Sequence, residues 1–170
     1  YEISECLVGS EMCIRDSTIV AKHALAGGIL GNAVAKRAIH RTYYAVCSGC
    51  TPACMRISAP IARKDASTIE RCVDFKRGEY AVTDFIRIKY NPDNNLSLVK
   101  LRLLTGRTHQ IRVHMKYIGF PLIGDFLYNP DYTYISRQAL HSGRLVFTHP
   151  VTGQKMNLIS DIPSDMKSLF

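Results

Sequence analysis

The chain has 170 residues, 46% of them hydrophobic and 21% charged, which is typical of one soluble globular domain with a core of its own. Its 22 Lys and Arg residues outnumber its 14 Asp and Glu residues, and the resulting formal charge of +8 favours a polyanionic partner. No apolar run is long enough to span a bilayer, and no charged start followed by an apolar core marks a signal peptide.

The first elements differ from one another in composition. Residues 1–17 do not begin with Met and resemble read-through of a sequencing adaptor, so we expect them to be foreign and the native sequence to begin near Thr18. Thr18–Ala21 is short, apolar and β-branched, which predicts a strand. Lys22–Ile39 is rich in Ala and predicts a helix, although its glycines weaken that prediction.

The next segment predicts a strand followed by a long loop. Thr42–Cys47 has the composition of a strand, in which the adjacent Tyr43 and Tyr44 must point to opposite faces. One of the two rings can therefore join the core while the other faces a cleft. Ser48–Lys64 contains prolines and scattered polar residues, which predicts a loop.

A hairpin is predicted in the middle of the chain. Tyr80–Tyr90 reads as one strand, Asn91–Asn95 is a strong turn, and a second strand is predicted over residues 96–104. From Val99 to Leu103 apolar and basic residues alternate, which indicates that this strand is half-buried.

A helix is predicted over residues 108–118. Apolar residues recur at helical spacing from Ile111 to Ile118, Thr108 is the predicted N-cap, and Gly119 is the predicted stop. Arg107 stands beside the free N–H groups of the helix start, where an anion is favoured.

Two further positive charges lie on this helix. Arg112 and Lys116 are four residues apart and would repel each other slightly, which is easier to explain if an anionic molecule lies against them. A solvated basic face on an ordinary amphipathic helix is the alternative.

The last third of the chain predicts short elements. Tyr128–Tyr134 reads as a loop, Arg144–Phe147 and Lys155–Ile159 read as paired strands, and Pro163–Phe170 reads as a short helix capped by Ser164. Together the elements predict an α+β fold with a mixed, mostly antiparallel sheet flanked by a few helices.

The cysteines could indicate either a metal site or free thiols. Three of them form a C-x-x-C-x-x-x-C pattern that fits no common zinc finger closely, which favours reduced intracellular thiols over zinc. The six cysteines are Cys6, Cys13, Cys47, Cys50, Cys54 and Cys72.

The segment Gly106–Tyr128, GRTHQIRVHMKYIGFPLIGDFLY, resembles the signature of the RluA-type pseudouridine synthases, which isomerise uridine in ribosomal or transfer RNA. Further segments resemble other family motifs in the same order: Arg41–Val46, Pro60–Arg63, Ala81–Phe85, Arg137–His141 and His149–Gly153. The resemblance covers residues 18–170 and implies one pseudouridine synthase catalytic domain, truncated at its N-terminus.

The resemblance also implies roles for individual residues. Tyr43 matches the tyrosine that stacks on the base, and Arg112 matches the arginine that pairs with the catalytic Asp. Leu140 matches the apolar wall of the pocket, although simple core packing explains it equally well.

The residues that the resemblance places at the RNA cleft are Arg107, His109 and Gln110. Arg107, Arg112 and Lys116 are expected to line one basic cleft. No metal or cofactor is implied, and His109 and His114 lie on different helix faces, which argues against a two-His metal site.

The catalytic Asp is not found where the resemblance requires it. Its position falls near Glu11 inside the foreign-looking segment, and Asp16 lacks the expected neighbours, so the role is transferred to neither. We therefore expect this chain not to make pseudouridine, and its sheet to lack a strand and expose an edge.

Two functions follow as hypotheses. The first is isomerisation of specific uridines in structured ribosomal or transfer RNA, with flipping of the target base. The second is a non-catalytic RNA-binding module that keeps the fold. A metal nuclease is disfavoured because carboxylates are not clustered. We expect a cytoplasmic monomer that binds neither DNA nor membrane.

Overall fold

A computed structural model describes residues 19–65 and 67–170. The described residues form three helices and eight strands, with mostly antiparallel pairing, as the α+β prediction requires. In chain order they are α1 (Ala24–Ala35), β1 (His40–Ser48), β2 (Cys54–Ser58), β3 (Ile61–Arg63), β4 (Arg71–Val73), β5 (Val82–Asn91), β6 (Leu96–Leu103), α2 (Gln110–Tyr117), β7 (Leu140–Thr148), β8 (Lys155–Ile159) and α3 (Ser164–Lys167).

The chain divides into two compact units. The smaller unit comprises the described residues up to Thr42 together with Ser142–Asp161, and it contains the β7–β8 hairpin. The larger unit comprises Tyr43–His141 and Ile162–Phe170. All the residues that the resemblance assigns to the site lie in the larger unit.

The sheet of the larger unit is built around the predicted central hairpin. Strands β2, β5, β6 and β1 are neighbours in that order, and β5 pairs antiparallel with both β2 and β6. Val99 and Leu101 are fully buried while Lys100 and Arg102 are exposed, so the alternation predicted for β6 is confirmed. The turn between β5 and β6 is also confirmed.

Helix α2 ends as predicted but begins differently. Gly119 follows it with a φ of +86°, a conformation that glycine adopts without strain. Its N-cap is His109, in a left-handed conformation with a φ of 57°, and no side chain caps the helix start. The prediction of Thr108 as N-cap is therefore wrong.

The predicted loop over Ser48–Lys64 is also wrong, because β2 and β3 lie within it. Ile57 and Ile61, one from each strand, are buried in the core. Pro60 stands between the two strands, where its missing N–H interrupts neither. β3 pairs with β4, a three-residue strand that is too short to show a period in the sequence.

The two ends of the described chain also differ from the predictions. Residues 19–21 form no strand, while residues 1–17 and Thr18 lie outside the described residues. The predicted first helix is confirmed but ends four residues early, since Arg37 takes a positive φ before β1 begins. α3 is shorter than predicted, and its N-cap is Pro163 and not Ser164.

Three groups of buried apolar side chains form the core of the larger unit. The largest group lies between the sheet and α2, and includes Phe85, Val99, Leu101, Ile111 and Met115. None of the helices formed by residues 19–65 and 67–170 is long and apolar enough to cross a membrane.

Replacing Gly124 by Ala is expected to lower the free energy of unfolding by about 2 kcal/mol or more. Gly124 has a φ of +66°, and an added Cβ would overlap the carbonyl group of Arg137. Gly106→Ala is the matched control, because a Cβ at Gly106 meets no atom within 4 Å. Urea unfolding followed by circular dichroism measures both, and equal stabilities would contradict the assigned backbone.

Candidate functional site

A buried ion pair lies at the centre of the site. Arg112 on α2 donates from Nε to Oδ2 of Asp125 at 2.7 Å and from Nη2 to Oδ1 at 2.6 Å, and the two side chains are 2% and 0% exposed. Oδ1 of Asp125 also accepts the backbone N–H groups of Leu127 and Tyr128 at 3.1 Å. The pair therefore fixes α2 to the turn that carries Tyr128.

The resemblance matches Arg112 to the arginine that pairs with the catalytic Asp, and in the described part of the chain Arg112 pairs with Asp125. Asp125 was missed by the sequence reasoning, although it is the single carboxylate between Leu101 and Tyr128. A buried arginine on a helix requires an acceptor, and that lone carboxylate was the available signal.

Tyr128 connects the ion pair to the surface. Its ring lies against the Arg112 guanidinium, with 4.8 Å between the central carbon and the ring centroid. Its hydroxyl accepts the backbone N–H of Arg71 at 2.9 Å and lies 2.9 Å from Nδ1 of His109. Burial raises the pKa of Tyr128 above its usual value. The hydroxyl therefore remains protonated and can donate to Nδ1.

His109 is neutral in this setting. Burial, together with the charges of Arg112 and Arg71, lowers its pKa to about 4. The left-handed backbone at His109 turns its ring onto the edge of Tyr128, with 5.7 Å between centroids. His109 thus supports Tyr128 and offers no positive charge to an anion at neutral pH.

Gln110 lies inside the protein and not at the surface. Its side chain is buried, and its Oε1 accepts from Thr105 Oγ1 at 2.8 Å and from the Arg107 N–H at 3.0 Å. Its Nε2 donates to the Val82 carbonyl and to Thr83 Oγ1. These bonds fix the turn before α2, and the contact of Gln110 with RNA stays a prediction.

Arg107 lies at the rim of a concavity of about 510 Å³, which we call the arginine cleft. Its guanidinium pairs with the exposed Glu79 and donates from Nε to the Tyr80 carbonyl at 3.1 Å. Four of the lining residues are arginines and one is a glutamate, so the lining carries an excess of positive charge. Among the residues that line it are Arg63, Arg71, Arg77, Glu79, Arg107 and Thr108.

A second concavity of about 400 Å³ contains Lys116, and we call it the aromatic cleft. Arg71 lines both clefts. The expectation that Arg107, Arg112 and Lys116 line one cleft is thus wrong, since Arg107 and Lys116 line different clefts and Arg112 is buried. Among the residues that line the aromatic cleft are Lys64, Arg71, Phe75, Lys116, Tyr117 and Tyr128.

Tyr43 and Leu140 pack against one part of the core. Both are half-buried against the cluster that includes Ile111, the neighbour of Arg112 in α2. This packing agrees with the alternative of core residues for both, and their roles at a substrate pocket stay predictions.

The described residues contain no group of three His, Cys, Asp or Glu side chains that could hold a metal ion. Cys47 is fully buried, which raises the pKa of its thiol, whereas Cys50 and Cys54 are exposed. The remaining candidates at the start of the chain, which are Cys6, Glu11, Cys13 and Asp16, lie outside the described residues.

A family model described as RNA pseudouridylate synthase matches residues 18–117. The chain belongs to the pseudouridine synthase family. It is 46% identical over 154 residues to YjbO, an uncharacterized RNA pseudouridine synthase of Bacillus subtilis (strain 168), and the match covers 89% of this chain and 53% of the relative. It is 36% identical over 162 residues to ribosomal large subunit pseudouridine synthase D of Zymomonas mobilis, covering 89% and 50%.

The chain therefore spans about half the length of the curated pseudouridine synthases it matches. Among solved structures, it resembles human RNA pseudouridylate synthase domain containing 1 with a TM-score of 0.72 and 25% identity, covering 84% of this chain and 62% of that one. Human RNA pseudouridylate synthase domain containing 4 shares the fold, with a TM-score of 0.67. The predicted family and fold are confirmed.

Replacing Asp125 by Ala is expected to cost about 3–5 kcal/mol of stability, because it removes the bidentate acceptor of the buried Arg112 charge. Asp84→Ala is the matched control, since Asp84 makes an equally bidentate contact with Arg56 on the exposed face of the sheet. That exposed pair should contribute only a small fraction as much. Urea denaturation of both variants measures the difference, and similar losses would refute the importance of the buried pair.

Stability is expected to fall as the pH is lowered from about 6.5 to about 4. In this window the unfolded chain protonates His109 while the folded chain does not, because the folded pKa is about 4. Burial also lowers the pKa of His114, which acts in the same direction. His109→Asn tolerates the left-handed backbone and should reduce the loss by on the order of 1 kcal/mol, discounted because the ring is half-exposed.

The melting temperature measured across this pH range by circular dichroism checks the His109 prediction. If His109→Asn kept the whole pH dependence of the parent chain, the assignment of a neutral folded imidazole would be wrong.

Proposed function

We propose that this chain forms part of an enzyme that isomerises specific uridines to pseudouridine in structured RNA, with ribosomal RNA as the first substrate class. Family membership supports the reaction, and the name of the Zymomonas mobilis relative supports ribosomal RNA. The single structural observation that supports RNA binding is the arginine cleft.

The arginine cleft has the chemistry of a phosphate site. Arg63 and Arg71 are directly opposite each other on β3 and β4, which brings two guanidinium-bearing side chains to one face of the strand pair. Guanidinium groups match phosphate oxygens well. Arg107 is paired with the exposed Glu79, and exposed pairs are weak enough for a phosphate to replace the carboxylate.

The reaction breaks the bond between N1 of uracil and C1′ of ribose, rotates the base and forms a bond from C5 to C1′, while the C5 proton is lost and N1 is protonated. The target must first leave the base stack. We assign stacking on this base to Tyr43, the apolar pocket wall to Leu140, and the cation beside the reacting group to Arg112, following the family resemblance.

The reaction also needs a carboxylate placed against the ribose or the base. Three carboxylates at the two clefts and the ion pair are already engaged: Asp125 with Arg112, Glu79 with Arg107, and Glu70 with Lys64. We therefore propose that none of these three is the catalytic group and that the chain as given does not turn over.

The engaged carboxylates also favour a second candidate, which is a module of the same fold that binds RNA without modifying it. Both candidates predict RNA binding, and they differ in turnover once a catalytic Asp is supplied. For either one we propose a monomer acting in the cytoplasm, with transfer RNA as a further substrate class.

Binding of structured RNA is expected to weaken steeply as the salt concentration rises. Each protein cation that contacts a phosphate releases a counterion, and each released counterion adds to the slope of log affinity against log salt. Arg107→Ala should lower affinity and reduce the slope of log affinity against log salt by about one. Arg56→Ala is the matched control, since Arg56 is likewise exposed and paired with a carboxylate but does not line the arginine cleft.

Fluorescence anisotropy with labelled ribosomal RNA fragments measures both variants. Binding that ignores salt, or that responds equally to Arg56→Ala and Arg107→Ala, would remove the support for the cleft.

No pseudouridine is expected when this chain is incubated with unmodified ribosomal or transfer RNA. Replacing residues 1–17 by a segment with the family's Arg-Leu-Asp motif should restore turnover, and a version with Asn in place of that Asp is the control. Mass spectrometry of digested RNA counts the product. Turnover by the chain as given that is lost on changing Glu11 or Asp16 would overturn this assignment.

A further inference from the structure

We infer that the aromatic cleft binds an unpaired nucleotide that neighbours the target uridine, with its base against Phe75 and Tyr117 and its phosphate on Arg71. The inference rests on the proposed RNA-binding function and extends it to nucleotides that are not modified. Three observations support it: the exposure of the two rings, the contacts of Arg71 and the positive charge around the cleft.

Phe75 and Tyr117 are two large rings exposed side by side. Phe75 is 69% exposed and Tyr117 is 52% exposed, their centroids are 6.4 Å apart, and both line the aromatic cleft. Single exposed apolar residues need no explanation, but adjacent aromatic rings in a concavity indicate a binding site. Aromatic faces surrounded by cations are the surfaces on which proteins stack unpaired RNA bases.

Arg71 supplies an unsatisfied donor at the same place. Its Nη1 is buried and has no hydrogen-bond acceptor among residues 19–65 and 67–170. A buried charged donor without an acceptor is costly, and a phosphate oxygen would remove that cost. The backbone N–H of Arg71 donates to the Tyr128 hydroxyl, which fixes the point from which the Arg71 side chain extends. Arg71 lines both clefts.

The charges around the aromatic cleft favour a nucleotide over an apolar peptide. Lys64, Arg71 and Lys116 line it with one carboxylate, Glu70, which is paired with Lys64 at 2.8 Å. Lys116 lies over the Tyr128 ring, with 5.6 Å between Nζ and the centroid. The excess positive charge suits a phosphate-linked base. A paired base keeps its faces inside the helix stack, so the occupant must be unpaired.

Tyr128 connects this cleft to the proposed catalytic arginine. The Tyr128 ring lines the aromatic cleft and also contacts the guanidinium of Arg112. A nucleotide in the aromatic cleft therefore lies one side chain away from Arg112, which is close enough for it to be a near neighbour of the target. Contacts with such a nucleotide would help to select which uridine is modified.

The first test compares Phe75→Ala and Tyr117→Ala with Tyr132→Ala. The exposed fraction of Tyr132 is 50%, similar to the 52% of Tyr117, but Tyr132 is not among the residues that line either cleft. Anisotropy is measured with a stem–loop RNA and with a fully paired duplex. Loss of either cleft ring should weaken stem–loop binding by about fivefold or more and leave duplex binding unchanged. Tyr132→Ala should change neither, and Phe75→Tyr should restore binding.

The second test removes the base instead of the ring. The parent chain should bind a stem–loop with an abasic site at the stacked position more weakly than it binds the intact stem–loop. The Phe75→Ala variant should bind the abasic and the intact stem–loops equally well. This coupling, measured as a double-mutant cycle over the loop positions, assigns the contact to one base.

The third test separates a phosphate contact from a structural role of Arg71. Arg71→Gln should lower stem–loop affinity and reduce the salt slope by about 0.7, the value for one phosphate of a single strand. Its melting temperature should not fall, because the removed donor is unpaired. A structural role predicts the opposite, with a lower melting temperature and an unchanged salt slope.

The outcomes distinguish this inference from the proposed function. If the parent chain binds neither RNA, the proposed function fails and this inference fails with it. If it binds RNA but Phe75→Ala, Tyr117→Ala and Arg71→Gln all bind the stem–loop like the parent, only the nucleotide site in the aromatic cleft is overturned.

Discussion

The buried ion pair between Arg112 and Asp125 is the constraint on which the rest of the site depends. Two desolvated charges are tolerated only when their geometry is good and their remaining hydrogen-bonding groups are satisfied. Here the contact is bidentate, and two backbone N–H groups of the following turn also bind the carboxylate. Because that turn carries Tyr128, the pair sets the position of the ring that meets His109 and Arg71.

The same pair fixes the orientation of the guanidinium. Arg112 donates to Asp125 through both Nε and Nη2. In the proposed reaction, a guanidinium held in this way would give the preorganised electrostatic stabilisation that a reacting group requires.

Sequence periodicity predicted the elements that are encoded by a local pattern of residues. It failed for elements whose formation depends on contacts with residues distant in the sequence. The central hairpin and helix α2 follow from alternation and helical spacing, and both are confirmed. β2 and β3 were missed because each is short and pairs with a strand further along the chain. The cap at Thr108 was wrong because His109 is the N-cap, and the contact of its ring with Tyr128 cannot be read from neighbouring residues.

Much of the signature segment is buried, so under the proposed function other segments must supply part of the RNA contacts. Gln110 and Arg112 point into the protein and His109 is neutral, so within the start of α2 only Arg107 presents a charge to a cleft. The other positive charges of the arginine cleft come from outside the signature, two of them from the β3–β4 pair. Under the proposed function, the signature would support the reacting group, while Arg63 and Arg71 on the short β3–β4 pair would contact the RNA. Changes in that pair would then alter substrate choice without disturbing the buried ion pair.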